Sequence, residues 1–136
     1  MPIKILVIAL IKNHGSILFR KKPDNSPPYK ETWYMFGAEI SGDNPDWKTV
    51  LLSAVKAQTG IDIAVTNILS WDTEIKPDES GRQTFYVYLD CECEFVSGNP
   101  TPGPKIEKLE WIPIMELKNY DIVPPSVKLL KKQGYL

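Results

Sequence analysis

The chain has 136 residues, of which 43% are hydrophobic and 24% are charged. This length and composition are typical of a single globular domain, which we expect to span residues 1–136. The formal net charge of −1 supplies no basic surface, which argues against nucleic acid as the main partner, and no apolar run approaches the ~20 residues of a membrane-spanning helix.

The chain begins with a predicted β-hairpin. Residues 3–11 are apolar almost throughout, which predicts a strand buried on both faces. The polar residues around His14 and Gly15 predict a tight turn, and residues 17–21 form the returning strand. Three prolines and several small polar residues then predict an exposed loop over residues 22–30.

The clearest helix of the sequence follows a short strand. Residues 33–40 predict that strand, and the Gly37-Ala38 pair predicts a bend within it. Asn44 has the side chain of a good N-cap residue, and Gly60 is a typical C-terminal stop. Apolar residues between them recur at helical spacing and predict one buried stripe: Trp47, Val50, Leu51, Ala54 and Val55.

The second half of the chain contains the strongest strand pattern. Residues 62–75 predict an irregular strand, and residues 85–95 alternate with a period of two. One face of this second strand is apolar, whereas the other carries Tyr86, Tyr88 and three carboxylates and is expected to be solvated. The two cysteines of the chain lie close together on the apolar face, so we expect reduced thiols and a cytoplasmic protein.

Three short elements complete the predicted topology. Residues 107–112 predict a strand, residues 113–117 predict a helix or turn, and residues 125–133 predict a helix that begins with a proline. The order of strands, helix, strands and helix predicts a mixed α/β (α+β) domain. In such a domain the helices pack on a curved, mainly non-parallel sheet.

Several segments together resemble the Nudix hydrolase superfamily, whose motif is G-x5-E-x7-R-E-U-x-E-E-x-G-U, with U apolar. Residues 33–38 resemble the approach to this motif, and residues 58–61 resemble its end. Residues 110–113 are similar to a strand near the family's C-terminus. The resemblance implies a Nudix-like fold, in which helices sandwich a curved mixed sheet. It also implies metal-dependent hydrolysis of nucleoside diphosphates linked to another group.

The chain departs from the family motif at the positions that carry its chemistry. Counting back from Gly60, Ser53 stands at the arginine of the motif and Ala54 at the glutamate that follows it. Ala57 and Gln58 stand at the paired glutamates. In the family these glutamates hold Mg²⁺, which prefers hard oxygen ligands and activates water for attack on phosphorus. The sequence therefore predicts a degenerate catalytic site.

Four other residues are candidates for the site. Glu39 directly follows the Gly37-Ala38 bend, and we regard it as the candidate ligand of Mg²⁺ and of the substrate. Arg20 has a guanidinium that can pair with phosphate, and Tyr86 and Tyr88 have rings that can stack on a base. All four are equally compatible with ordinary surface or packing roles.

Three functions are compatible with these residues. The first is a weak or inactive hydrolase that binds a nucleotide-like ligand, which the substituted motif favours. The second is an active Nudix pyrophosphohydrolase that uses displaced carboxylates such as Glu39 together with Mg²⁺. The third is a protein-interaction module. Because family members often dimerise, the resemblance also makes a homodimer a candidate assembly.

Overall fold

The structure, a computed structural model, describes residues 1–23 and 29–136, so most of the predicted 22–30 loop lies outside the described residues. Within the described part of the chain, seven strands form one sheet that two α-helices flank. The strands are β1 (Ile3–Asn13), β2 (Ser16–Lys21), β3 (Trp33–Tyr34), β4 (Phe36–Ile40), β5 (Asp62–Pro77), β6 (Gln83–Ser97) and β7 (Lys108–Pro113). The helices are α1 (Trp47–Thr59) and α2 (Pro124–Lys132), and a 3₁₀ helix spans Ile114–Asn119.

Strand β1 lies at the centre of the sheet. It pairs in parallel with β6 and antiparallel with β2 and β4, while β5 pairs antiparallel with β6. At the other side of the sheet, β2 pairs antiparallel with both β3 and β7. The sheet thus contains both parallel and antiparallel pairs, which confirms the predicted mixed α+β class.

Each face of the sheet has its own hydrophobic core, because alternate residues of a strand point to opposite faces. The core beneath α1 consists of Val7, Ala9, Ile11, Leu18, Phe36, Leu51, Val55, Ile61, Ile63, Cys91 and Cys93. The core on the α2 side consists of Leu10, Ile17, Phe19, Met35, Ile112, Leu117, Ile122, Leu129 and Leu130. The helices therefore sandwich the sheet as expected, and both cysteines are buried free thiols.

Helix α1 begins two residues later than the sequence suggested. Its N-cap is Asp46 and not Asn44, because the Asp46 carboxylate accepts hydrogen bonds from the backbone N–H and the hydroxyl of Thr49. Gly60 ends the helix in the left-handed conformation, as predicted. No helix in residues 1–23 or 29–136 is both long enough and apolar enough to cross a membrane.

The strand predicted over residues 33–40 is divided in two, and the division falls at Met35. Before this residue the chain pairs with β2, and after it the chain pairs with β1, so the change of partner breaks the ladder. The Gly37-Ala38 pair lies inside β4, opposite Ile8 and Val7 of β1. A Cβ on Gly37 would lie 2.8 Å from the Val7 carbonyl oxygen, so this close approach of two strands requires a glycine.

The face of β6 that was expected to be solvated is buried along its first half only. Tyr86, Tyr88 and Asp90 are each less than a tenth exposed, whereas Glu92 is half-buried and Glu94 is exposed. The expectation was wrong for the first three residues because alternation identifies the two faces of a strand without showing what stands over each of them. Here α2, the end of β5 and the β2–β4 region stand over this face and enclose a cavity.

Candidate functional site

The cavity lies on the α2 side of the sheet and has a volume of about 880 Å³. Its floor is formed by residues of β1 and β6 that point to this face, with Leu6 opposite Tyr88 and Ile8 opposite Asp90. Residues from β2, β4, β5 and α2 complete the wall. Ligand pockets typically have volumes of about 300–1,000 Å³, so a small organic molecule fits this space.

Two cations of the cavity wall have no ion-pair partner among the described carboxylates. The Arg20 Nε donates to the Met35 carbonyl oxygen at 2.8 Å, and the guanidinium lies beside the rings of Tyr34 and Phe36. The Lys22 Nζ lies 4.5 Å from the centroid of the Tyr34 ring. Neither side chain forms an ion pair with a described carboxylate, although Arg20 is half-buried and both line the cavity.

The electrostatics of this pair are those of an anion-binding site. Burial lowers the pKa of Arg20. Burial, together with the nearby charges of Arg20 and Lys76, lowers the pKa of Lys22 to about 8. Like charges that are held close together in a partly dehydrated wall repel one another, and a bound anion would relieve that repulsion.

A hydrogen-bonded network of tyrosines forms the adjacent wall. The hydroxyls of Tyr29 and Tyr88 both donate to the Glu74 carboxylate, the latter at 2.7 Å. The Lys76 Nζ donates to the Tyr29 hydroxyl at 2.8 Å and lies 3.4 Å from Glu74. The Tyr86 and Tyr88 rings stand parallel, with centroids 6.1 Å apart, and the ammonium group of Lys76 lies over both. This wall is internally neutralised and therefore supplies aromatic surface and not net charge.

Asp90 brings a buried carboxylate to the floor of the cavity. The residue is 5% exposed, and its Oδ2 accepts a hydrogen bond from the Ser70 hydroxyl at 3.1 Å. No described residue donates to the other oxygen, and no described cation lies within 4.0 Å. Burial raises the pKa of Asp90. An oxygen of this kind can accept a hydrogen bond from an N–H or O–H group of a ligand.

Glu39 lies at the mouth of the cavity, on the same face of the sheet as Leu6, which it opposes in register. Its side chain is 48% exposed, and its carboxylate lies 3.7 Å from the Lys4 Nζ. Lys4 lies at the same distance from Asp78. Glu39 is thus half-exposed, already paired with a cation, and accessible to a bound molecule.

The substituted motif positions lie on α1, outside the cavity lining. Ser53 and Ala57 are exposed, whereas Ala54 is half-buried. Gln58 is directed toward β4, where its Nε2 donates to the Gly37 carbonyl oxygen at 3.2 Å. The loop of residues 99–104 packs on this end of the helix, since the Gly103 N–H donates to the Gln58 carbonyl oxygen at 2.9 Å.

The described residues at this helix do not fit the divalent ion that the resemblance implies. Within residues 1–23 and 29–136, no three His, Cys, Asp or Glu side chains form a group that could hold a metal ion. The Gly37 carbonyl oxygen faces an amide N–H, which is a donor and would repel a cation. The buried Gln58 Oε1 has no hydrogen-bond partner, but one neutral oxygen is a poor ligand set for Mg²⁺.

The structure brings the four candidates from the sequence to one cavity: Arg20, Glu39, Tyr86 and Tyr88. Their roles remain predictions, as does metal binding by Glu39. Sequence reasoning missed four other lining residues: Lys22, Tyr29, Lys76 and Asp90. For Lys76 a signal was present, because it follows Glu74 by two residues on β5 and therefore shares its face. For Asp90 the signal was the alternation with Tyr86 and Tyr88 along β6.

Comparisons with known proteins agree with the fold. No protein-family profile matches the chain. It is 25% identical over 139 residues to nucleoside triphosphatase NudI of Klebsiella pneumoniae (strain 342), and 98% of each chain is covered. Among solved structures it resembles the MutT NUDIX hydrolase of Burkholderia pseudomallei, with a TM-score of 0.78, 18% identity, and coverage of 97% and 98%. It also resembles the NUDIX domain of Shewanella oneidensis NrtR complexed with ADP ribose, with a TM-score of 0.69, 11% identity, and coverage of 98% and 86%.

Proposed function

Because the chain belongs to the Nudix superfamily, we propose that its cavity binds a nucleotide-like ligand and that the protein hydrolyses such ligands weakly or not at all. The phosphates of the ligand lie against Arg20 and Lys22 in this proposal, and its nucleoside lies toward Tyr88 and Asp90. The names of similar proteins support this ligand class, since one is a nucleoside triphosphatase and another was crystallised with ADP ribose. The free cysteines favour a cytoplasmic location.

One observation supports ligand binding, namely that Arg20 and Lys22 line the cavity and form no ion pair with a carboxylate of residues 1–23 or 29–136. A guanidinium presents parallel N–H donors that match two phosphate oxygens, and an ammonium adds a point charge. Strand β6 runs along the floor of the cavity, and the four residue steps from Tyr86 to Asp90 span about 13 Å. That length leaves room for a sugar and a base along the floor.

The proposal that hydrolysis is weak or absent rests on the lack of carboxylates at the motif positions. Ser53, Ala54, Ala57 and Gln58 cannot place negative charge beside a metal ion. Without such a group, neither a metal-bound water nor a general base is available at this helix. Loss of a general base alone typically reduces a rate by about 10²- to 10⁴-fold.

Calorimetric titration tests the proposal directly. ADP-ribose and a nucleoside triphosphate are each titrated into the protein, with and without Mg²⁺, and phosphate release is followed in parallel. We expect binding that does not require Mg²⁺ and little product. Arg20→Met should weaken binding by about 10- to 100-fold, because a charge-assisted hydrogen bond contributes about 1.5–3 kcal/mol.

Lys108→Met is the matched control, because Lys108 is an exposed lysine whose ion pair with Glu110 lies outside the cavity lining. It should bind like the original chain. Equal binding by both variants would show that the cations of the cavity do not hold the ligand. Circular dichroism of both variants establishes that neither substitution unfolds the domain.

Glu39 supports a second candidate function, an active pyrophosphohydrolase. This carboxylate lines the mouth of the cavity and is exposed enough to reach a metal ion bound by the ligand's own phosphates. In that case turnover requires Mg²⁺, and Glu39→Gln abolishes it while ligand binding survives. Metal-dependent turnover of this kind would show that the protein is an active hydrolase and not a weak or inactive one.

A further inference from the structure

Half of the sheet face opposite the cavity is not covered by α1. On this half, strand register aligns Ile3 and Ile5 of β1 with Phe85 and Val87 of β6. The same register aligns residues of β5 and β6, with Ile75 opposite Phe85 and Trp71 opposite Leu89. Residues that are opposed in register point to the same face. We call this surface the open face and define it by Ile3, Ile5, Ile68, Trp71, Thr73, Ile75, Phe85, Val87 and Leu89.

The open face is apolar and accessible. Its largest exposed side chains are Ile68, Ile3, Trp71 and Ile75, with relative exposures of 73%, 67%, 67% and 55%. It contains one polar residue, Thr73, and no ionisable side chain. The exposed area is roughly 700–900 Å², which exceeds the ~300–600 Å² of the largest apolar patch on a typical monomer. A patch of this size marks an interaction surface.

We propose that the open face is the interface of a homodimer, in which two copies pack sheet against sheet about a twofold axis. The area agrees with this occupant, because each partner of a standard interface buries about 800 Å². A surface that crosses three strands suits face-to-face packing, in which side chains of two sheets interdigitate about 10 Å apart. A twofold interface requires no second protein, since one patch meets its own copy.

Two other occupants fit the open face less well. The outer edge of β5 could pair with another strand, but the ladder between β5 and β6 shifts register at three places between Asp62 and Ser70. Such bulges bend an edge and oppose further pairing. A membrane surface normally adds electrostatic attraction to apolar insertion, and a chain with a net charge of −1 supplies little of it.

Sedimentation velocity of the full chain, at micromolar to submillimolar concentrations, tests the proposal. We expect a concentration-dependent species of twice the 15.4 kDa chain mass. Trp71→Lys and Ile75→Lys should each weaken dimerisation by about thirtyfold or more, because both remove a large apolar anchor and bury a charge against its copy. The exposure of both positions means that the fold tolerates the substitutions.

Met115→Lys is the matched control, since Met115 is an 87% exposed apolar residue of the 3₁₀ helix, outside the open face. It should dimerise normally. A monomer at every concentration would overturn the proposal, and so would a dimer that both face variants leave intact. A monomer that binds lipid vesicles would assign the face to a membrane instead. Ligand titration of the Trp71→Lys variant separates this proposal from the proposed function, because the cavity lies on the other face and its affinity should not change.

Discussion

The polar groups at the end of α1 and those in the wall of the cavity differ in whether they have partners within the protein. At the end of α1, the Gln58 amide is hydrogen-bonded to the Gly37 carbonyl oxygen, and the backbone of the 99–104 loop caps the last carbonyl groups. At the cavity wall, Arg20 and Lys22 form no ion pair with a described carboxylate, although the charge of Glu79 acts on Lys22. Apart from the buried Gln58 Oε1, which has no hydrogen-bond partner among the described residues, the groups at the end of α1 are bonded within the protein and have little left to offer a ligand. The end of α1 therefore supports the fold, whereas the cavity wall is prepared to bind.

The largest expected effect tests whether the end of α1 is structural. A Cβ on Gly103 would lie 2.5 Å from the Ala57 carbonyl oxygen and 3.1 Å from the Gln58 Cα, so Gly103→Ala forces a methyl group against the backbone of α1. We expect a loss of about 3 kcal/mol in the free energy of unfolding, at the upper end of overpacking costs, measured by urea denaturation.

Gly42→Ala is the control for this substitution, because a Cβ on Gly42 meets no atom within 4 Å. It should change the unfolding free energy by no more than about 0.5 kcal/mol. Folded Gly103→Ala protein should still bind ligand with unchanged affinity. A large loss of affinity would show that the two regions are coupled and that the end of α1 also supports ligand binding.

The sequence predicted the scaffold better than the binding surface. The apolar run of β1 and the alternation of β6 arise from local patterns that every strand must satisfy, so both strands were found. Which side chains meet in the cavity wall depends on strand register, because β5 and β6 must align before Glu74 can contact Tyr88. Register is a long-range property that composition does not encode. The N-cap of α1 is Asp46 and not the predicted Asn44, because two acceptable capping residues lie two positions apart in the sequence.

A substitution at Gln58 tests what the motif has lost. In the original chain the Gly37 carbonyl oxygen accepts an N–H from the Gln58 amide. Gln58→Glu places a carboxylate against this oxygen instead. Two acceptors then face each other in a half-buried site, so we expect a loss of about 1–3 kcal/mol in the free energy of unfolding. Mg²⁺ should restore part of that stability, because a cation between the two oxygens replaces the missing donor.

Thermal melts with and without Mg²⁺ measure this rescue. Gln58→Met serves as the control, because it also removes the hydrogen bond to Gly37 but supplies no charge, so Mg²⁺ should leave its melting temperature unchanged. Equal responses of both variants to Mg²⁺ would mean that the ion acts elsewhere on the protein. The Gln58 amide would then not stand at the position of a lost metal ion.

The smallest expected effect is a pH dependence of ligand binding that arises from Lys22. Its pKa of about 8 in the free protein reflects burial and the repulsion of Arg20 and Lys76, and a bound phosphate would raise that pKa. The affinity for the ligand should therefore be highest below about pH 8, where Lys22 is protonated. It should fall as the pH rises through that value, by roughly tenfold between pH 7 and pH 9. The ligand does not contribute in this range, because the second ionisation of a terminal phosphate, near pH 6, is already complete. Lys22→Arg should bind with a flat profile over the same range, since an arginine stays charged. If the arginine variant kept the slope of the original chain, the titrating group would be another cation, and Lys22 would not belong to the binding wall.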